Sequence, residues 1–294
     1  MIVAVPDSNY KTQFYPVGTK VPSFSTGYLD GLAIRDIIGA AANGPAPHVK
    51  IKLDVSMVPN LKSGTVWATL PGTTDEKVFV LGHRDGWFEG ANDDAAGVAT
   101  MLGIAEYLSK IPQSQRRRTI EFLGTTGHHD ITILRGGNYV GGESGAWLGQ
   151  HPEIFANASL LFNCEHTGAA DSDWIIGVPA STRRTNGIQP LTWYVGGTQK
   201  LIDISTRAFD AMGVPTQIDS EGRGGGEIGR FYWYAPAVML LGTGWVWHSD
   251  HETDDTISPS GLAAVTRAEA KIIVDTDNIP LQELRRPASD SSAH

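Results

Sequence analysis

The sequence predicts an α/β fold, a three-layer α/β/α sandwich with a mostly parallel, mixed central sheet. Three observations carry that expectation. Strand-length apolar runs alternate with segments of helical spacing along most of the chain. The runs at 78–82 and 160–164 are continuously apolar, as strands buried on both faces are. Polar constellations follow directly on the strand ends, where parallel sheets bind ligands. At 294 residues, 41% apolar and 19% charged, the chain is long enough for one large core.

The elements follow in order. Residues 1–48 hold a short apolar pattern, several turn residues and helical spacing over 30–38, too little to own a core. Residues 49–55 and 64–70 alternate as strands do, and Pro71-Gly72 closes the second run. After the strand at 78–82, residues 94–109 predict a helix. Its apolar face is read as Val98, Met101, Leu102, Ala105 and Leu108, and Asp93 or Asp94 stands near its start, where a carboxylate satisfies free amides. A strand follows at 118–123, with Arg116-Arg117-Arg118 read as its solvated entrance, then a helix at 147–155 and the strand at 160–164. A helix over 198–212 stops at Gly213, a strand fits 237–241, and Ser258-Pro259 opens a C-terminal helix. The main domain is thus expected over 49–280, with a polar tail at 281–294.

A net charge of −9 and a pI near 5.4 argue against nucleic acid or an anionic membrane as partner. No stretch approaches the ~18 apolar residues of a membrane span, and the N-terminus lacks the pattern of a signal peptide; the compartment stays open. The lone Cys164 lies in an apolar strand pattern and reads as a small buried hydrophobe.

The chemistry concentrates at the strand ends. His83-Arg84-Asp85 follows directly on the strand at 78–82, and Asp93 comes ten residues after His83, across a glycine-rich turn. An imidazole at a strand end, an acid two residues on and a carboxylate at a helix start are the elements of a metal site, with Asp85 orienting the histidine. The segment from Gly82 to Ala99 resembles the first metal motif of the two-zinc aminopeptidase and glutamate carboxypeptidase family, to which transferrin-receptor-like proteins also belong, and the likeness runs through most of residues 20–275.

That resemblance implies a metallohydrolase whose cofactor is zinc, one or two divalent ions, with other transition metals also compatible. Where the family carries Glu-Glu after a strand, this chain carries His128-His129, so the resemblance puts His128 at the general-base position and His129 at a metal-ligand position. Phe162-Asn163-Cys164-Glu165 matches the family strand that ends in an acidic ligand, which makes Glu165 that ligand. The terminal pattern, a histidine four residues before Asp-Thr, selects His251 over His248. The implied set is His83, Asp93 and Glu165 around one metal and Asp93, His129 and His251 around the other, with Asp93 bridging. The glycine-rich stretch from Arg135 to Glu143 exceeds the family's usual turn, and Glu143 is an alternative base within it. Arg223, Glu227 and Arg230, with Trp245 and Trp247, fall where the family lines its substrate space, and they suggest a recess for an apolar group with a polar handle. Residues 1–48 resemble the trailing part of a protease-associated domain, which leaves room for a partner subunit or a second copy to complete it.

Three functions stand open on the sequence. The leading one is a metal-dependent hydrolase of an amide or related carbonyl bond in a small-molecule or peptide substrate, with atypical specificity because His128 replaces a glutamate base. The second keeps the metals but performs hydrolysis, hydration or elimination on a small non-peptide metabolite. The third is an inactive interaction subunit. Retention of His83, Asp85, Asp93, Glu165, His251 and Asp255 favours a working metal site over the last.

Overall fold

The computed structural model describes residues 24–286 apart from 53, 55, 57, 59, 61, 130–133, 136, 137, 140–150, 176–180, 223, 230, 231, 233, 234, 241 and 243. Its strands are β1 (Val66–Leu70), β2 (Lys77–His83), β3 (Thr119–Thr125), β4 (Leu134–Arg135), β5 (Asn138–Tyr139), β6 (Ala158–Asn163), β7 (Ala170–Ile175), β8 (Ser181–Ile188), β9 (Leu191–Gly196), β10 (Thr216–Asp219) and β11 (Ala237–Leu240). Seven of them form one sheet in the order β1-β3-β2-β6-β11-β9-β10. The run β3-β2-β6-β11 is parallel, while β1 and β9 join it antiparallel. β2 and β6 stand in the middle, and their apolar runs are buried on both faces as read from sequence.

The helices are α1 (Tyr28–Ala40), α2 (Gly97–Ser109), α3 (Gln199–Met212), α4 (Pro259–Thr276) and the single turn α5 (Leu281–Leu284). α2, α3 and α4 cover one face of the sheet, where Ile104, Phe209 and Ile272 pack with Val80, Phe162 and Val238. On the opposite face Phe79, Leu81, Leu161 and Met239 are covered by the short turns Pro152–Phe155 and Gly226–Ile228. The expected α/β fold with a mostly parallel central sheet is the one observed. Helix ends follow their signals: Ser258 Oγ accepts from the Gly261 amide at 3.0 Å, Pro259 opens α4, and Gly213 at φ 69° closes α3.

Several expectations need correction. Residues 49–52 and 54 are exposed coil, not strand, because no neighbouring chain pairs with them among the described residues. Leu102 is 67% exposed; the buried face of α2 runs through Gly97, Thr100, Met101, Ile104 and Leu108. Of the helix read at 147–155, the described part is one 3-10 turn. The β7–β8 hairpin and β10 gave no apolar alternation to read, since they are largely polar. Cys164 is buried as expected, its thiol 3.2 Å from Glu269 Oε2.

Arg116-Arg117-Arg118 is a structural clamp, not a solvated entrance. Arg116 and Arg118 are buried. Arg118 donates to the Thr276 and Ile279 carbonyls, each at 2.5 Å, and to Glu76 at 3.0 Å. The Arg117 and Arg118 amides bind Asp277 at 2.8 and 2.9 Å, so the end of α4 is locked to the start of β3. Arg118→Ala would strand two buried carbonyls and is expected to cost about 3 kcal/mol. Urea unfolding measures this, and an unchanged midpoint would show that the clamp does not stabilise the fold.

Candidate active site

The four parallel strands end level with one another, and each delivers a polar side chain to the same place. His83 is the last residue of β2, in register with Thr125 at the end of β3. Asp93 comes from the turn between β2 and α2, His128 and His129 follow β3, and Glu165 and His166 follow β6. His248 stands in the turn after β11. Gly97 lets α2 start close against β6, since a Cβ there would fall 1.7 Å from the Cys164 carbonyl.

Asp93 is the hub, only 2% exposed. Its Oδ1 lies 2.9 Å from His83 Nε2. Its Oδ2 lies 2.8 Å from His248 Nε2, 3.4 Å from His166 Nε2 and 3.5 Å from His129 Nε2, and it accepts from Trp247 Nε1 at 2.6 Å. Burial pushes the Asp93 carboxyl up, but the imidazoles of His129, His166, His248 and His83 outweigh it and hold it far below the usual carboxylate range. Glu165 turns Oε2 toward the Asn163 amide at 2.5 Å and presents Oε1 to His166 at 3.7 Å and to His83 and His128, each at 3.9 Å. Gly226, at φ 48°, makes room for this carboxylate: a Cβ would sit 1.8 Å from Glu165 Oε2.

Glu252 staples the two loops of the hub. Its Oε1 accepts from the Asn92 and Asp93 amides at 3.1 and 2.6 Å, and its Oε2 from the His248 amide at 2.7 Å. Burial and the nearby Asp93 raise its pKa to about 7.

The histidine pair splits in direction. His129 turns Nδ1 to Asp85 Oδ2 at 3.5 Å and Nε2 into the hub. Burial lowers its pKa, but Asp85 and Asp93 prevail and hold it up at about 9. His128 stacks on His83 at 4.0 Å between ring centroids and turns Nδ1 to Glu227 Oε1 at 3.4 Å. Burial again opposes, and Glu227 holds His128 up at about 10. Glu227 is itself buried and also accepts from the Thr125 hydroxyl.

The sequence-derived residues therefore divide. His83, Asp93, His129, Glu165 and His128 come together. His251 does not: it is exposed and paired with Asp250 at 2.9 Å, while His248 occupies the place expected for it. The four-residue spacing to Asp-Thr misled because the turn at 245–248 folds His248 inward at φ 60°. Asp85 reaches His83 through its backbone carbonyl, 2.7 Å from Nδ1, and its carboxylate instead receives the His128 and His129 amides at 3.2 and 2.8 Å. Glu227 lies buried beneath His128, and Trp247 donates to Asp93. Trp245 stands farther out, with the Arg184 guanidinium over its ring. Arg223, Arg230 and Glu143 lie outside the described residues. Sequence reading missed His166 and Glu252; both are polar residues directly beside, or four beyond, a site residue on an irregular turn.

This donor set fits a divalent metal. Asp93, His129 and His248 each offer one donor atom within 4.8 Å of the others, as do Asp93, Glu165 and His166. Buried His83 Nε2 and Asp93 Oδ1 face each other at 2.9 Å and buried His166 Nε2 faces Asp93 Oδ2 at 3.4 Å without well-directed hydrogen bonds, as expected of atoms meant for an ion. Imidazole and carboxylate are zinc ligands.

Among solved structures, a zinc aminopeptidase from Bacillus subtilis matches with a TM-score of 0.53 at 14% identity, over 76% of this chain and 53% of that one. A Porphyromonas gingivalis glutaminyl cyclase matches with a TM-score of 0.55 at 16% identity, over 72% of this chain and 76% of that one. An aminopeptidase from Aneurinibacillus sp. strain AM-1 matches with a TM-score of 0.51 at 19% identity, over 92% of this chain and 60% of that one. The chain thus spans about half the length of the B. subtilis enzyme, and likeness at these identities shows the fold. No curated protein sequence matches significantly. Residues 65–273, the whole stretch from β1 to near the end of α4, match peptidase family M28, a family of metallopeptidase-type hydrolases, and the chain belongs to that family.

Proposed function

We propose that this chain is the catalytic domain of a zinc-dependent hydrolase that cleaves an amide bond in a peptide or peptide-like substrate. The observation that carries this reading is the convergence of the buried imidazole nitrogens of His83, His129, His166 and His248 on the Asp93 carboxylate at the carboxyl ends of four parallel strands. Asp93 would bridge two ions, with His83 and Glu165 at one and His129 and His248 at the other. Bound there, the metals supply a Lewis acid for the scissile carbonyl and an activated water.

The chain's own residues do the rest. Glu227 holds the proton of His128 on Nδ1; with cations beside the ring offsetting the carboxylates that keep it protonated, Nε2, on the side of Glu165, would be free to take a proton and later return it. In this way a buried carboxylate acts through an imidazole where the family resemblance expected a carboxylate alone. Asp85 holds the His128-His129 turn by both amides and so sets where Nε2 points. Half-buried Trp87, its ring 4.6 Å from that of His129 and 4.4 Å from that of His248, would wall the metals on one side, and Trp245 would receive an apolar substrate group. Arg223 and Arg230 remain proposed as handles for its polar end.

Two experiments test this reading. Elemental analysis of protein purified without chelators should find at least one divalent transition metal per chain. Asp93→Ala should lose it, His248→Ala should lose part of it, and His251→Ala should keep the full complement. Metal-free wild-type protein would sink the proposal, and loss in His251→Ala equal to that in His248→Ala would reverse the ligand assignment. With a panel of aminoacyl and peptidyl anilides, His128→Ala should lower kcat by about 10²–10⁴-fold at unchanged metal content. Full activity in that variant would exclude His128 as the proton carrier, and no cleavage of any amide by metal-loaded wild type would exclude the substrate class.

A further inference from the structure

His166 has no counterpart among the residues that the family resemblance brought forward, yet it is built into the site as firmly as His83. It is buried, follows Glu165 directly, and takes a left-handed backbone at φ 59°, which a non-glycine residue adopts only at some cost. The same conformation, at φ 60°, recurs at His248, and in both residues it aims Nε2 at Asp93 Oδ2. His166 Nδ1 lies 2.9 Å from the Gly242 carbonyl, a hydrogen bond that puts the ring proton on Nδ1 and leaves the Nε2 lone pair for an electrophile. That Nε2 is buried with no hydrogen-bond partner among the described residues. It lies 3.4 Å from Asp93 Oδ2 and 3.7 Å from Glu165 Oε1. Two ligands of a tetrahedral zinc, each at its usual bond length, stand ~3.3 Å apart.

We propose that His166 Nε2 is a ligand to the metal held by Asp93 and Glu165. This rests on the metallohydrolase reading above and goes beyond it. That ion would then have three protein donors, Asp93, Glu165 and His166, whose ligand atoms lie within 4.8 Å of one another. The ion of Asp93, His129 and His248 would likewise have three.

The test compares wild type with His166→Ala and His166→Gln, with His251→Ala as a surface control, each loaded with zinc and with Co(II). Chelator competition should show that both His166 variants release one ion more easily by over ~100-fold, more than the 10–100-fold that loss of an outer partner costs. Their Co(II) absorption should lose intensity belonging to a four-coordinate ion. Wild-type release curves and Co(II) spectra in both variants would overturn the proposal while leaving the metallohydrolase reading intact, whereas wild type that binds no metal would overturn both. Should neither variant fold, as judged by circular dichroism, the Co(II) wild type still decides. Its proton NMR spectrum should contain hyperfine-shifted ring N–H signals from His83, His129, His166 and His248; a spectrum lacking the signal of His166 overturns the assignment.

Discussion

Burying Asp93 is the constraint on which the rest of this site depends. An isolated carboxylate removed from water is prohibitively costly, so a side chain this buried has to be surrounded by positive or proton-donating partners. Here they come from every strand end in reach: His83 after β2, His129 after β3, His166 after β6, and Trp247 and His248 after β11. The partners must arrive level, and the parallel registers of β2 with β3 and β6 bring them there. The buried carboxylates draw protons onto His129 and His166, and a dication bound there would displace them. The fold, the charge balance and the metal site are one arrangement.

Legibility in the sequence followed geometry. His83 and Glu165 sit at or just past the ends of apolar runs, and Asp93 follows the first run across a short turn, so period and position sufficed. His128 and His129 were equally readable in place, though their opposite orientations, one to Glu227 and one to Asp93, come from the Asp85 carboxylate grasping both amides. The choice between His248 and His251 was not readable, because a spacing rule is blind to which way a turn coils. His166 was hidden for a related reason. In a regular strand it would point away from its neighbour Glu165, and only the left-handed backbone brings both to the same side. Glu227, in a glycine-rich stretch, has the sequence surroundings of a solvated loop, yet the 3-10 turn places it under His128.

The departures from expectation elsewhere have the same character. Three consecutive arginines suggest solvent when only sequence distance is considered, whereas carbonyls from the far end of the chain were waiting for them. Residues 49–52 alternate like a strand but find no neighbour to pair with, and alternation without a partner leaves coil. Local pattern is sufficient where burial is local, and insufficient where a distant segment supplies the partner.

The arginine clamp also sets where this folding unit ends. The M28 match stops at residue 273, but Arg117 and Arg118 take their partners from Thr276, Asp277 and Ile279. A protease cutting between Asp277 and Ile279 would leave every site residue in the chain and yet remove one of the carbonyls that hold Arg118 at the start of β3, the strand that leads into His128 and His129. Contacts beyond the region that defines the family thus reach the active site along the length of β3, and the clamp belongs to the fold although the family match does not include its partners.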